Sequence, residues 1–599
     1  MLDALRTYQS GMVWVGLAAL VLWRLADFFR LAHGSADDMT VDYVAMSVGW
    51  KTMALQYAEV QSRIYSLVVM PVYALMMNLA GSVWYDILND VTFVAGAILP
   101  VLALRRYIET ATIQLFILVY FATLPLLFSY TPPYAYPAYM FLPLAFGGLA
   151  LWMLDAWHVR GHRPSLVCGC VLLFLGLCGY EPISLLIVTY LGFWAWCSQR
   201  ARPEISILRR PELWLCAGVL AVYCAAYLAF RMRFPSEYGG VRPAMDLSLA
   251  SIARVVGTLS FTSSIFGWYH FRQMLVRVDI PFSHESLTLL GAPGFSEMLS
   301  QATPAVLLGA VLTFCLSAVL ATRILARPSV RPFRLVLFAC ALLVVPNLLY
   351  GFIPKISRLV LANQLYAYTA TAYSQTGLAL LAAALTGCAG LFRMKWFRLA
   401  PVFIVSLTVT WGWVAASEFN TISAVFAREQ EAKWTAVQQL ASCRGVVPAA
   451  YLDQVVAPRL WNFSTARLSW GQEKQDRRYW DLYAQSHLHL KTHFVRTSER
   501  AASPVTALDY KLRPDGSLAG VILARSSDGK RFQELFVMKT RRADIPAGVL
   551  DRKSIWQAQT AANTASCENG VEAVRLTGAD LDVSSAQIDD LPPANLPGP

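Results

Sequence analysis

Two adjacent carboxylates, Asp37 and Asp38, follow the first long apolar run of the chain, and Asp42 comes one helical turn later. Adjacent carboxylates repel each other, so a half-buried pair needs a raised pKa or a cation partner. Such a pair can act as a general base or hold a divalent metal ion, here Mg²⁺ or Mn²⁺. The alternative is a solvated N-terminal cap for the amphipathic segment that follows.

Four more ionisable residues stand beside apolar sequence: Arg63 in QSRIYSL, Glu181 in CGYEPIS, and Lys355 and Arg358 in GFIPKISRL. Ionisable residues near membrane depth usually face a cavity and pair with one another. Acids and bases that face one compartment could hold an acceptor hydroxyl and an anionic phosphate. Glu181 is then a candidate catalytic residue and the three bases are candidate phosphate ligands. The alternatives are lipid-phosphate anchors for Arg63 and Arg358, and salt-bridge partners for Glu181 and Lys355.

The elements that position these residues are long apolar segments. The chain has 599 residues, of which 56% are hydrophobic and only 15% are charged, and its mean hydropathy is +0.46. This composition predicts a polytopic membrane protein rather than a soluble one. The chain has a formal charge of +12, and much of its Lys and Arg lies in short loops between apolar runs. This charge therefore reports membrane topology, and we expect no nucleic-acid partner.

The basic connectors at 105–106, 160–163, 200–210, 323–334 and 393–398 should share the inner side of the membrane. This holds only if the apolar stretch 64–80 is a re-entrant or juxtamembrane helix that does not cross. The pattern then predicts eleven transmembrane helices, with the N-terminus inside and the candidate residues at the outer face. These spans are 12–29, 84–104, 111–129, 137–154, 165–178, 183–198, 213–230, 304–322, 333–350, 374–391 and 399–416.

Beyond the membrane part (1–417), residues 418–599 are richer in charge and predict a soluble α/β domain on the outer side. A helical pattern covers 421–442, and Asp-Gly turns between LDYKL, LAGVILAR and RFQELFVMK predict a three-stranded meander. Cys443 and Cys567 are the only cysteines of this domain. We expect them to form a disulfide if the compartment is oxidising, the alternative being two free thiols.

Together, these features resemble the GT-C-type integral-membrane glycosyltransferases, and more narrowly the bacterial O-antigen-modifying glucosyltransferase-like proteins. The resemblance rests on ADD at 36–38, QSRIYSL at 61–67, YEP at 180–182, and PNLLYGFIPKISRLV with YAYTATAYSQTGLALL beyond it. In that family the first-loop aspartate acts as base or binds a metal, and basic residues hold the donor phosphate. The family pattern often has an aromatic residue after the aspartates and a glycine before the arginine, where this chain has Met39 and Ser62.

The resemblance implies an inverting transfer of a sugar from a polyprenyl-phosphate donor to a glycan or lipid-linked acceptor. It also implies a multi-pass protein of the bacterial inner membrane, in contact with membrane lipids, whose C-terminal domain is periplasmic. Two other functions remain open. One is a transporter or flippase of lipid-linked saccharides, which discontinuous helices in repeated halves would favour. The other is a non-catalytic membrane scaffold whose periplasmic domain binds a partner.

Overall fold

The computed structural model divides the chain into two compact units. The helical unit comprises Met1–Phe29, Trp50–Met76 and Trp84–Ser423, and the C-terminal unit comprises Arg30–Gly49, Met77–Val83 and Ala424–Pro599. The predicted division after residue 417 stays a prediction. The structure describes residues 2–29, 36–79, 82–124, 136–201, 209–235, 248–261, 302–326, 332–361, 370–389, 395–457, 460, 472–495, 505–512, 518–526, 532–540 and 564–577.

Most described residues lie in helices, which we number in chain order. The helices are α1 (Leu2–Phe29), α2 (Ala36–Val48), α3 (Trp50–Gln61), α4 (Tyr65–Met77), α5 (Val83–Ala103), α6 (Thr110–Thr123), α7 (Pro137–Arg160), α8 (Arg163–Leu177), α9 (Glu181–Ala201), α10 (Pro211–Arg233), α11 (Leu249–Phe261), α12 (Pro304–Ala326), α13 (Pro332–Gly351), α14 (Pro354–Leu361), α15 (Thr371–Ala389), α16 (Lys395–Ser442) and α17 (Gln472–Leu488). Five of them begin at a proline, whose fixed φ suits the first helical position and whose missing N–H is not needed there.

Six helical segments within the described residues are long and apolar enough to cross a membrane: Val83–Ala103, Ala138–Arg160, Pro211–Arg233, Pro304–Ala326, Pro332–Gly351 and Leu399–Ser417. They are compatible with a multi-pass membrane protein, and the predicted number of eleven crossings stays a prediction. α4 has 13 residues and is therefore about 20 Å long, shorter than the ~30 Å hydrocarbon core. The prediction that the stretch 64–80 does not cross stays a prediction.

Helices α5 and α7 approach each other closely at two glycines. A Cβ at Gly96 would lie 2.4 Å from the carbonyl oxygen of Phe141, and a Cβ at Gly148 would lie 2.7 Å from the backbone nitrogen of Pro100. Small residues allow such close backbone packing between apolar helices. Because residue numbers rise together along the contact, α5 and α7 run parallel and begin at the same end of the unit.

Helix α6 ends inside the helical unit, where two polar side chains bind its last carbonyl groups. Arg24 of α1 is buried and donates hydrogen bonds to the carbonyl oxygens of Phe121 (3.2 Å), Ala122 (2.8 Å) and Trp413 (3.2 Å) and to Ser417 Oγ (3.1 Å). Gln375 of α15 donates to the carbonyl oxygen of Tyr120 (3.0 Å) and to Thr123 Oγ1 (2.9 Å). The final carbonyls of a helix lack intrahelical donors, so these side chains allow α6 to end away from water.

The C-terminal unit contains a seven-stranded sheet with the strand order β2-β1-β3-β4-β5-β7-β6. The strands are β1 (Gln454–Val456), β2 (His493–Val495), β3 (Val505–Leu512), β4 (Leu518–Ser526), β5 (Phe532–Thr540), β6 (Thr564–Ser566) and β7 (Val571–Thr577). β3, β4 and β5 pair antiparallel in sequence order, which confirms the predicted meander. β1 pairs parallel with β2 and β3, and α17 lies in the crossover from β1 to β2, as a parallel pair requires.

The core of this unit joins the sheet to α17 and to the end of α16, around the buried side chains of Trp434, Trp480 and Phe536. Cys443 and Cys567 are disulfide-bonded, which confirms the predicted pair. The same core includes Met39 of α2. A helix from the segment after the first apolar run therefore completes a domain whose strands lie more than 400 residues later in the chain.

Candidate functional site

The structure brings together Arg63 and Glu181, two of the residues that the sequence singled out. Arg63 lies in the turn between α3 and α4, and Glu181 is the first residue of α9. Arg63 Nε is 3.1 Å from Glu181 Oε1, and the two side chains are 8% and 18% exposed. A buried charge of either sign is costly unless it is paired, so each residue makes the burial of the other possible.

Tyrosine rings surround the Arg63 guanidinium. Its central carbon is 5.0 Å from the ring centre of Tyr180 and 5.8 Å from that of Tyr65, within the range of cation–π attraction. Tyr139 packs on both rings, at centroid distances of 4.9 Å to Tyr65 and 5.5 Å to Tyr180. Tyr139 belongs to the aromatic stretch YTPPYAYPAY, whose residues 130–135 lie outside the described part of the chain. The guanidinium is therefore held by π faces as well as by a carboxylate.

The carboxylate of Glu181 has a second hydrogen-bonding partner on α10. Tyr227 donates its hydroxyl proton to Glu181 Oε1 (3.0 Å), and Arg231 Nη1 donates to the Tyr227 oxygen (3.1 Å). The resulting row runs from Arg63 through Glu181 and Tyr227 to Arg231. This geometry suits a carboxylate that orients Arg63, the salt-bridge alternative of the sequence analysis. The catalytic role predicted for Glu181 stays a prediction.

The residue before Arg63 has an unusual backbone conformation. Ser62 has φ +54°, in the left-handed region that favours glycine. Ser62 and Ser66 are buried, and neither hydroxyl oxygen has a hydrogen-bond partner within the described residues. Strained backbone and unsatisfied buried polar groups tend to collect at functional sites. Ser62 in the turn and Ser66 at the start of α4 thus carry hydroxyl groups without a described partner, within three residues of Arg63.

Lys355 and Arg358 are exposed residues of the short helix α14, which buries Ile356, Ser357 and Val360. Ser357 Oγ donates to the carbonyl oxygens of Tyr350 (3.1 Å) and Gly351 (3.0 Å), at the end of α13. Tyr350 in turn donates its hydroxyl proton to the Tyr180 oxygen (3.2 Å). The connection between α14 and Arg63 therefore runs through Tyr350 and Tyr180.

Asp37 and Asp38 lie in α2, and their side chains fall outside the described part of the structure. Gly49 (φ +79°) separates α2 from α3, and α2 packs in the C-terminal unit. Among the described residues no group of three or more His, Cys, Asp or Glu side chains could hold a metal ion. The base and metal-binding roles of Asp37 and Asp38 remain predictions.

Asp42, one turn further along α2, is fully buried and accepts a hydrogen bond from the Tyr479 hydroxyl (3.0 Å). Burial raises the pKa of Asp42 to about 7, against the smaller opposite effect of the Tyr479 hydrogen bond. A carboxyl group with a neutral partner is easier to bury when it is protonated. Asp42 therefore anchors α2 in the core of the C-terminal unit.

Comparison with known proteins assigns no family or function to this chain. No protein-family model matches the sequence, and no curated protein matches it either. The case for a function therefore rests on the residues themselves. Tyr65 and Tyr180 stand within two residues of Arg63 and Glu181 in the quoted motifs, but nothing in their spacing predicts that they contact the arginine.

Proposed function

We propose that this chain is a GT-C-type integral-membrane glycosyltransferase, which moves a sugar from a polyprenyl-phosphate donor to a glycan or lipid-linked acceptor. The observation that carries the proposal is the Arg63–Glu181 pair, buried among tyrosines in a unit built from apolar helices. A guanidinium suits a phosphate group because it offers several donors in a fixed plane. Tyrosine faces suit the apolar faces of a sugar ring.

In the proposed reaction, an acceptor hydroxyl oxygen attacks the anomeric carbon while the bond from that carbon to the phosphate oxygen breaks. Polyprenyl phosphate leaves with the bonding electrons, and the configuration at the anomeric carbon inverts. Arg63 stabilises the negative charge that develops on the leaving phosphate, with Ser62 and Ser66 as further hydrogen-bond donors. Lys355 and Arg358 are proposed to attract the anionic donor to the site.

The acceptor hydroxyl loses a proton during this attack, and we assign that proton to the carboxylate of Asp37 or Asp38. This part rests on the resemblance of ADD to the family motif. The proposal further places the protein in a bacterial inner membrane, with the C-terminal domain in the periplasm and the site at the periplasmic face. The disulfide supports this placement, because such bonds persist in oxidising compartments.

The test uses purified full-length protein with a panel of polyprenyl-phosphate hexoses and isolated envelope glycans. We expect release of polyprenyl phosphate together with sugar-labelled glycan. Arg63→Lys should lower the rate by roughly 10²-fold or more, because an ammonium group cannot reproduce the planar contacts of a guanidinium. Arg163→Lys is the control, since Arg163 is an exposed residue at the start of α8.

Two outcomes would contradict the proposal. Full activity of Arg63→Lys would remove Arg63 from the reaction. Movement of the intact lipid-linked sugar across a liposome membrane, with no product formed, would favour the transporter alternative.

A further inference from the structure

The first two turns of α5 carry a second cluster of polar residues, apart from Arg63 and Glu181. Asp86, Asn89 and Asp90 stand at positions i, i+3 and i+4, so they share one side of the helix. Asp86 and Asn89 are buried, Asn89 to 1% exposure, and Asp90 is half-buried. The same side continues with the buried residues Phe93, Gly96 and Ala97. The cluster therefore faces the interior of the helical unit.

The Asn89 carboxamide is the unusual member of this cluster. Neither its oxygen nor its nitrogen has a hydrogen-bond partner within the described residues, and the same holds for Asp90 Oδ1. An unsatisfied buried amide costs free energy, and such groups in a folded protein need an explanation. Leucine would fill this position without that cost. The carboxamide is thus best explained by a ligand that binds on this side of α5.

The packing of α5 on α7 places this cluster at the same end of the helical unit as Arg63 and Glu181. Gly96 is level with Phe141, so Asn89, two turns earlier, is level with the start of α7. Tyr139, in the first turn of α7, packs on the two tyrosines that hold Arg63. The cluster lies in one of the helices that are long and apolar enough to cross a membrane, where ionisable residues commonly mark binding sites.

We propose that Asp86, Asn89 and Asp90 bind a divalent cation of the Mg²⁺ or Mn²⁺ type. All three side chains offer hard oxygen ligands, and two carboxylates match the charge of a divalent ion. Mg²⁺ is typically held by one or two carboxylates and keeps several waters, so three protein ligands suffice. The carboxamide nitrogen would donate to one of those waters. This inference does not depend on the proposed function, because a transporter could also hold the ion.

The test measures metal binding by full-length protein in detergent after treatment with a chelator. Mn²⁺ is titrated and its free signal followed by electron paramagnetic resonance, and thermal melting is recorded with Mg²⁺, Mn²⁺ or neither. We expect one saturable site whose occupation raises the melting temperature. Asn89→Leu and Asp90→Asn should each weaken binding at least about tenfold, since loss of even an outer-shell partner costs ~10- to 100-fold.

Asn89→Leu also distinguishes a metal ligand from a merely structural residue. It should raise the melting temperature of the metal-free protein but abolish the further rise caused by metal. Without metal this variant should melt higher than the wild type, as an unsatisfied amide is removed, and added Mg²⁺ should no longer raise its melting temperature. Asn89→Asp should keep the site. Asp155→Asn is the matched control, because the Asp155 carboxylate is 2.7 Å from Arg106 Nε and already has its cation.

Three results would overturn the inference. The first is wild-type protein without saturable binding. The second is binding by Asn89→Leu and Asp90→Asn that is as tight as binding by the wild type. The third is a site that survives those changes but disappears when Asp37 and Asp38 are both replaced by asparagine, since the ion would then bind at α2.

Discussion

Two buried arginines of the helical unit differ in what surrounds them. Arg24 binds backbone carbonyls at the end of α6, a serine hydroxyl and the face of Trp413, 4.1 Å from its guanidinium carbon. Arg63 binds the carboxylate of Glu181 between tyrosine rings, and Glu181 keeps 18% of its side chain exposed. Both charges are stabilised. The described partners of Arg24 are backbone carbonyls, a hydroxyl group and a ring, whereas Arg63 has an ionisable partner that is partly exposed.

This difference separates a structural charge from a candidate functional one. The carbonyls around Arg24 have fixed dipoles that no side-chain substitution can remove, so the contact belongs to the fold. The Arg63 contact is made by one replaceable side chain, and a phosphate could compete for the same donors. We therefore expect that a second substitution can compensate for the loss of Arg63 but not for the loss of Arg24.

The largest effect is expected from Arg24→Met. The carbonyls at the end of α6 would lose their donors, at a cost of roughly 3 kcal/mol or more in the free energy of unfolding, because several buried acceptors become unsatisfied together. Thermal melting and the yield of folded protein measure this. Arg163→Met serves as the exposed control. A second change, Ser417→Ala, should not restore stability, and a stable Arg24→Met protein would show that Arg24 does not hold α6.

A smaller effect is expected from Arg63→Met, which leaves the partly buried Glu181 without its cation. We expect a loss of up to about 3 kcal/mol in the free energy of unfolding. The double variant Arg63→Met with Glu181→Gln should recover most of that loss, because no charge then remains unpaired, but it should show no sugar transfer. Melting and transfer assays on the two proteins give both readouts. A double variant as unstable as the single one would mean that Glu181 is not the main partner.

The smallest effect concerns Asp42, a buried acid whose described partner is a neutral hydroxyl. Its pKa is about 7 in the folded protein and 3.8 in the unfolded chain. Between these two pH values the folded protein therefore keeps a proton that the unfolded chain has released. The contribution of this proton to the free energy of unfolding is therefore fully present below about pH 4 and is lost as the pH rises through about 7. In hydrogen exchange, the peptide over α2 should be less protected at pH 8 than at pH 5.

Asp42→Asn should remove this pH dependence, because an amide can accept the Tyr479 hydrogen bond without ionising. Asp453→Asn, at an exposed position of the C-terminal unit, should behave like the wild type. Equal protection of α2 at both pH values in the wild type would argue against a protonated Asp42.

The sequence predicted the features that depend on local pattern. Apolar runs indicated the helices, Asp-Gly turns between apolar runs indicated the β3–β5 meander, and two cysteines in one domain indicated the disulfide. The motifs around Arg63 and Glu181 also identified two residues that prove to be in contact. In these cases the signal lies in nearby residues, or the choice of partners is very small.

The features that the sequence did not predict depend on contacts between distant segments. The amphipathic pattern of α2 does not say which residues it packs against, and only the structure shows that Met39 and Asp42 are buried in the C-terminal unit. Arg24 gave no sign of its role, since its described partners, which include backbone carbonyls of α6, lie on helices far away in the sequence. Asn89 carried a local signal, an amide between two acids on one side of a helix, but only the structure shows that the amide is buried.

The Cys443–Cys567 bond also determines how the C-terminal unit would respond to force. The two cysteines are 124 residues apart, and the chain between them contains β1 to β6 and α17. Tension applied at the C-terminus would pull on β7 and then pass through the sulfur atoms directly into the end of α16. Roughly 430 Å of extended chain, at ~3.5 Å per residue, would be shielded from the load until a reductant released it.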